Sequence, residues 1–193
     1  MGDALSRLIW RLAAPVYALA DRAYRRWHRL EEVGGILYAG RATWRGARRR
    51  LEDGTEVAPG DPILRLHLDG QSVAAEGTAA GSAAATGLRF ARRFVPACRA
   101  LASRVNEDPV WRDVVAVHAV GWISPYVGER WGFEFERLPD GLRTRLVRWH
   151  MGNLLSAADR QGHRRGRPRP WPMDVWMSRR RLCERFGDEA RGG

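Results

Sequence analysis

Residues 114–138 read VVAVHAVGWISPYVGERWGFEFERL, and the architecture follows from how that segment divides. Its first part, Val114–Val120, is almost unbroken apolar and rich in β-branched side chains, as in a central strand buried on both faces. Gly121 and Pro125 end the run. A short helix over Tyr126–Trp131 then turns the chain at Gly132 into a second strand, Phe133-Glu134-Phe135-Glu136. That strand alternates apolar and acidic residues, which predicts one dry face and one wet face.

Upstream, Leu88–Val105 is a helix. Ala91, Phe94, Val95, Cys98, Leu101, Ala102 and Val105 form one stripe, and Pro96 predicts a bend. Ile63–Leu68 alternates cleanly, with Leu64, Leu66 and Leu68 on one face and Ile63, Arg65 and His67 on the other. A hairpin is signalled by Asp53-Gly54 as a two-residue turn between Arg48–Leu51 and Glu56–Val57. Ile36–Trp44 is a strand before it. Downstream, Asp140 caps a helix from Leu142 to Ala157, Met173–Met177 is a last strand, and Ser178 caps a last helix to Phe186. Residues 70–87, mostly Ala, Gly and Ser, read as a flexible loop. Leu64, Leu66, Leu68, Val115, Val117, Phe133 and Phe135 are the expected core of the sheet.

The N-terminal segment, capped by Asp3, carries apolar residues from Leu5 to Leu30 at helical spacing, with Arg at most other positions and Pro15 as a kink. Two readings compete. Either the stripe packs on the core and the arginines are solvated, or the helix lies on anionic lipid through Arg and Trp. Ala18-Leu19-Ala20 imitates a leader-cleavage site, but Arg11 and Pro15 interrupt the apolar segment before it, so no cleaved leader is expected.

The chain has 193 residues, 45% of them hydrophobic, which suits one domain with a real core. Its net charge is +11, supplied wholly by Arg, with no Lys. A GC-rich genome produces such usage by codon bias, so the placement of charge carries more than its amount. Residues 1–30 carry a net +4, residues 31–142 a net −1, and residues 143–185 a net +9. Cationic ends around a balanced centre point to an anionic ligand or an anionic membrane surface. Cys98 and Cys183 have no metal-like spacing and read as reduced thiols, which fits a cytoplasmic protein, peripheral at the inner membrane face.

No phosphate-binding glycine loop, nucleophile elbow or zinc signature is present, so neither a metal nor a cofactor is expected. Candidate catalytic residues reduce to His67 and to Glu134, a general base if its strand face is open. His118, within an apolar strand, reads as a hydrogen-bonded core histidine. The segment 159–170, DRQGHRRGRPRP, is the expected anion-binding loop, through Arg164, Arg165, Arg167 and Arg169. Trp171 and Trp176 are its expected aromatic contacts. Nucleic acid is disfavoured, because no recognised binding module appears.

The segments EVAPGDPILRLHLD (56–69), RWGFEFE (130–136) and MDVWMSRRRLCERFG (173–187), in that order, resemble the bacterial YkoP-like family. Domains of that kind are associated with polysaccharide deacetylases and glycosyltransferases, so the resemblance implies an envelope-related context and no defined reaction. Residues 70–87 depart from the pattern. The order of elements is also similar to GNAT acetyltransferases, which implies a GNAT-like topology and, as the alternative activity, an acetyl-CoA-dependent transferase. The phosphate-cradling motif of those enzymes has no match at Thr78–Arg89.

These readings converge on an α+β fold. A cationic helix over 1–30 precedes one domain over 31–187, whose mixed, mostly antiparallel sheet is flanked by helices, and 188–193 is a tail. The expected role is an accessory or binding domain for an anionic, envelope-related ligand near the membrane.

Overall fold

The computed structural model describes residues 15, 18–69, 83–121, 125–142, 144–148 and 171–187. A helix over 18–27 (α1) leads into β1 (Glu31–Val33), β2 (Leu37–Thr43), β3 (Arg49–Arg50), β4 (Glu56–Val57) and β5 (Pro62–Leu68). Helix α2 (Ala83–Glu107), β6 (Ala116–Gly121), α3 (Pro125–Arg130) and β7 (Glu134–Arg137) follow. A helical turn over 144–148 (α4), β8 (Met173–Ser178) and α5 (Arg179–Phe186) complete the described chain.

Six strands form one sheet in the order β1-β2-β5-β6-β8-β7, and β3–β4 is a separate hairpin. Every described pair in the large sheet is antiparallel except β5–β6. Parallel strands need a long crossover, and α2 lies on the one between them. The fold is therefore α+β, with a mostly antiparallel mixed sheet flanked by helices.

Alternation along the strands separates two faces. One carries Leu37, Ala39, Leu64, Leu66, Val117, Val175 and Met177, packed with Phe94, Cys98, Leu101 and Val105 of α2 and Leu182 and Phe186 of α5. Each fully buried large aliphatic in this layer contributes about 1.5–3 kcal/mol. Leu68 and Phe135 pack partly buried against the same layer. The opposite face has a smaller apolar cluster, where Leu51 and Val57 of the hairpin cover Ile63, Ala116 and Trp176, with Val115 at its margin.

Strand β6 is central, between β5 and β8, as its apolar run predicts, and Gly132 makes the expected turn with φ 88°. Ser178 caps α5, accepting from the Arg181 N–H at 2.9 Å. Several expectations need correction. Helix α2 begins at Ala83, so residues 83–87 belong to a helix and not to a loop; residues 70–82 lie outside the described residues. The hairpin turn has three residues, Glu52 to Gly54. The Leu51 N–H donates to the Thr55 carbonyl at 2.8 Å, and Gly54 takes the left-handed position with φ 86°. Strand β1, too short to show a pattern, is an added edge. Its turn brings Gly34 against α2 with φ 73°, and a Cβ there would stand 2.7 Å from the Ala97 Cα.

Candidate functional site

The sheet face away from α2 and α5 carries titratable and aromatic side chains beside its smaller apolar cluster. The register places Arg65, His118, Trp176 and Glu134 in one row across four strands, with Tyr38 and His67 above β2–β5 and Asp174 and Glu136 above β8–β7. Two roofs cover it: α1 over β2 and β5, and the β3–β4 hairpin over the other end.

Under α1 the contacts are polar and aromatic. The His67 Nε2 lies 2.6 Å from Asp21 Oδ1, and Asp21 also pairs with Arg25 at 2.9 Å. The Arg25 guanidinium stacks on Tyr38 at 4.3 Å, and the Tyr24 ring meets His28 at 4.4 Å and His67 at 5.1 Å. An N–H of Arg65 donates to His28 Nδ1. Burial lowers the His28 pKa from its ordinary value, and the Arg65 cation and His67 lower it further. Helix α1 thus turns Ala18, Asp21, Arg25 and His28 to the sheet, four positions on one helical face. The opposite face points outward: Leu19 is 68% exposed and Trp27 84%, with Ala20, Ala23 and the arginines 22, 26 and 29 exposed around them.

Under the hairpin, His118 is buried, its Nε2 2.8 Å from Asp174 Oδ1, with its ring 4.2 Å from Trp176 and 5.3 Å from Trp44. The expected core histidine therefore has a carboxylate partner, 56 positions away in sequence. Arg49 lies over Trp176 at 4.5 Å and pairs with Glu136 at 3.0 Å.

Glu134 does not stand on a wet face. Its side chain is 10% exposed. Its Oε1 accepts from the Glu52 N–H at 3.0 Å and from Arg181 Nη1 at 3.4 Å. Burial raises its pKa; the Glu52 N–H opposes that shift, the Glu52 charge adds to it, and Arg181 and Arg49 oppose it. A shallow depression of about 400 Å³ opens beside it, with Glu52, Gly132 and Arg181 in its wall.

The two candidate catalytic residues share a face but not a site. They stand on β5 and β7, three strand spacings apart in the order β5-β6-β8-β7, which is about 14 Å across the sheet. Trp171 donates from Nε1 to the Leu138 carbonyl at 2.9 Å, and the guanidiniums of Arg137 and Arg148 lie 3.9 and 5.0 Å from its ring. Trp176 is fully buried, so its ring offers no stacking surface to a ligand in solvent. Arg164, Arg165, Arg167 and Arg169 lie outside the described residues. Both cysteines are free thiols, and burial raises the pKa of each. Sequence reasoning missed Asp21, His28, Arg65 and Asp174. Each joins the site through a partner 37 to 56 positions away, and only the alternation of β5 carried any trace of it.

Among the described residues no helix is long and apolar enough to cross a membrane, and no three or more His, Cys, Asp or Glu gather as a metal site. A family model, the YkoP domain, matches residues 10–186. No curated protein and no solved structure matches the chain.

Proposed function

Because the chain belongs to the YkoP domain family, we propose that it acts as an accessory domain docked on the anionic inner face of a membrane, where it meets an anionic, envelope-related ligand. The observation that carries this reading is the orientation of α1. Its polar side is used up on the sheet, and its outer side presents Leu19, Ala20, Ala23 and Trp27 with Arg22, Arg26 and Arg29 around them. That is the composition of an interfacial helix, an apolar strip with a cationic flank. Burying a Trp or Leu side chain contributes about 1.5–3 kcal/mol, and each Arg near an anionic leaflet about 1 kcal/mol.

Sedimentation with vesicles tests it. Binding to phosphatidylglycerol-containing vesicles at low salt is expected, and it should weaken at high salt and be absent with neutral vesicles. Arg22→Gln, Arg26→Gln and Arg29→Gln together, or Trp27→Ala, should abolish it. Arg25 is left intact, because it holds α1 to Asp21 and Tyr38. A protein that stays in the supernatant with anionic vesicles at low salt overturns the reading.

A second reading, an acetyl-CoA-dependent transferase, draws support from one feature of the sheet. Strands β5 and β6 pair only from Ile63↔Ala116 to Arg65↔His118, although both run three residues further. His67 lies on the β5 side beyond that last pair, whereas Glu134 is on the far edge strand. Thermal shift decides it: a ligand at a hundred times its dissociation constant adds about 2.7 kcal/mol. No shift with millimolar acetyl-CoA removes this reading.

A further inference from the structure

We propose that His28, held by Arg65 beneath α1, is an acid-sensitive latch that decides whether the C-terminal turn of α1 stays on the sheet. The latch rests on the membrane reading for its biological use, since it sets the fixity of the surface that would meet lipid. The equilibrium itself belongs to the chain in solution.

The chemistry follows from which atoms can donate. A guanidinium has no acceptor, so the contact between Arg65 Nη1 and His28 Nδ1 requires a lone pair on that nitrogen. The docked His28 is therefore the neutral tautomer with its proton on Nε2. Acid adds a proton at Nδ1, which removes the acceptor and sets an imidazolium against a guanidinium. Among the described residues neither Arg65 nor His28 pairs with an acid, and Asp21, the nearest on α1, is engaged by His67 and Arg25.

The other groups packed against this contact do not reverse the outcome. From β5, His67 faces it as a second imidazole. From α1, the Tyr24 ring abuts His28. From β2, Tyr38 is covered by Arg25, another cation. From β1, Glu32 stands opposite Tyr38 in the register and is solvent-exposed. At the other end of the helix the contact needs no lone pair on the ring: the Asp21 carboxylate, an acceptor, faces His67 Nε2 at 2.6 Å and takes a hydrogen bond from its N–H. The N-terminal turn of α1 is then held while its C-terminal turn is released, and the helix pivots about Asp21–His67. The sign agrees with the environment of His28, whose pKa is lowered below its ordinary value of 6.5 when docked. A lowered value means that this contact stabilises docking above that ordinary value and is lost as pH falls through the docked one.

The test is hydrogen exchange on the full chain without vesicles, near neutral pH and at about pH 5.5, corrected for intrinsic exchange. Protection of residues 24–30 should fall on acidification, by at most about tenfold at a pH one unit below the ordinary His value, and residues 18–21 should keep theirs. His28→Gln, whose carbonyl accepts from Arg65 at any pH, should keep the protection and lose its pH dependence. Imidazole NMR of the native protein gives a second readout that no variant can spoil by misfolding. Protection of 24–30 that ignores pH, a Gln variant that still responds to acid, or His28 titrating at or above its ordinary value overturns the latch. Failure here leaves vesicle binding untouched, and failure of vesicle binding leaves the latch standing.

Discussion

Asp53, in the turn between β3 and β4, accepts a hydrogen bond from Ser178, the residue that caps α5. One hydroxyl therefore serves two elements, donating to the hairpin and accepting from the Arg181 N–H at 2.9 Å. Arg180 closes the clamp, with its Nε 3.3 Å from Asp53 Oδ2 and a further N–H on the Asp53 carbonyl. The hairpin that roofs Trp176 is thus fastened to the end of β8 by a side chain 125 positions away in sequence.

Asp53→Asn should destabilise the fold most at neutral pH. Burial pushes this carboxyl up, but the Ser178 hydroxyl, Thr55 and Arg180 outweigh it and hold the pKa down to about 2. A lowered carboxylate stabilises above its unfolded value and loses that contribution as pH falls through the folded one. The expected loss in the variant is about 2 kcal/mol by that linkage, read by urea unfolding. Native and variant stabilities should converge below about pH 2.

Glu134→Gln should behave in the opposite way. Burial raises this carboxyl, so its ionised form is disfavoured in the fold, and its contribution is present at low pH and lost as pH rises through the folded value. A neutral amide of the same size still accepts from the Glu52 N–H. The melting temperature at neutral pH should be unchanged or raised, whereas Glu134→Ala should lower it by leaving that N–H unpaired, at about 1–3 kcal/mol.

Gly40→Ala tests the seat of α1 without touching a titratable group. A Cβ there would stand 2.8 Å from Leu30 Cδ2, 2.9 Å from the Arg29 carbonyl and 3.2 Å from the His28 carbonyl. Backbone oxygens cannot rotate away, so the C-terminal turn of α1 must lift, at a cost of about 1–3 kcal/mol. Hydrogen exchange should quicken in residues 24–30 and remain slow in α2 and β6.

Trp27→Ala should leave folding stability within about 0.5 kcal/mol of native, as expected for a surface position. A large loss in thermal unfolding would mean that this ring is buried in solution against something other than lipid.

The sequence by itself determined the elements whose cause is local. Period-two alternation placed Leu64 and Leu66 in the helix-covered layer, because a one-residue slip would turn every side chain over. The run from Val114 marked the central strand, the α2 stripe marked Phe94, Cys98, Leu101 and Val105, Gly132 marked its turn, and Ser178 marked its cap. Family membership was legible in the same way, from short segments in a fixed order.

Only the tertiary structure decided which side of each element meets which neighbour. The apolar stripe of α1 reads as a core-packing face, yet the helix packs through Asp21, Arg25 and His28. The reason is geometric: α2 and α5 already fill the apolar face of the sheet, and the face left for α1 carries Tyr38, Arg65 and His67. Glu134 sits on an alternating strand with an apparently wet side, but a hairpin some 80 positions earlier lays the Glu52 N–H over it. Trp176, His118 and Asp174 likewise meet through the antiparallel β6–β8 register. A side chain's alternation is written in its near neighbours. What covers it depends on the order in which strands pair, and that order is settled by packing over the whole sheet.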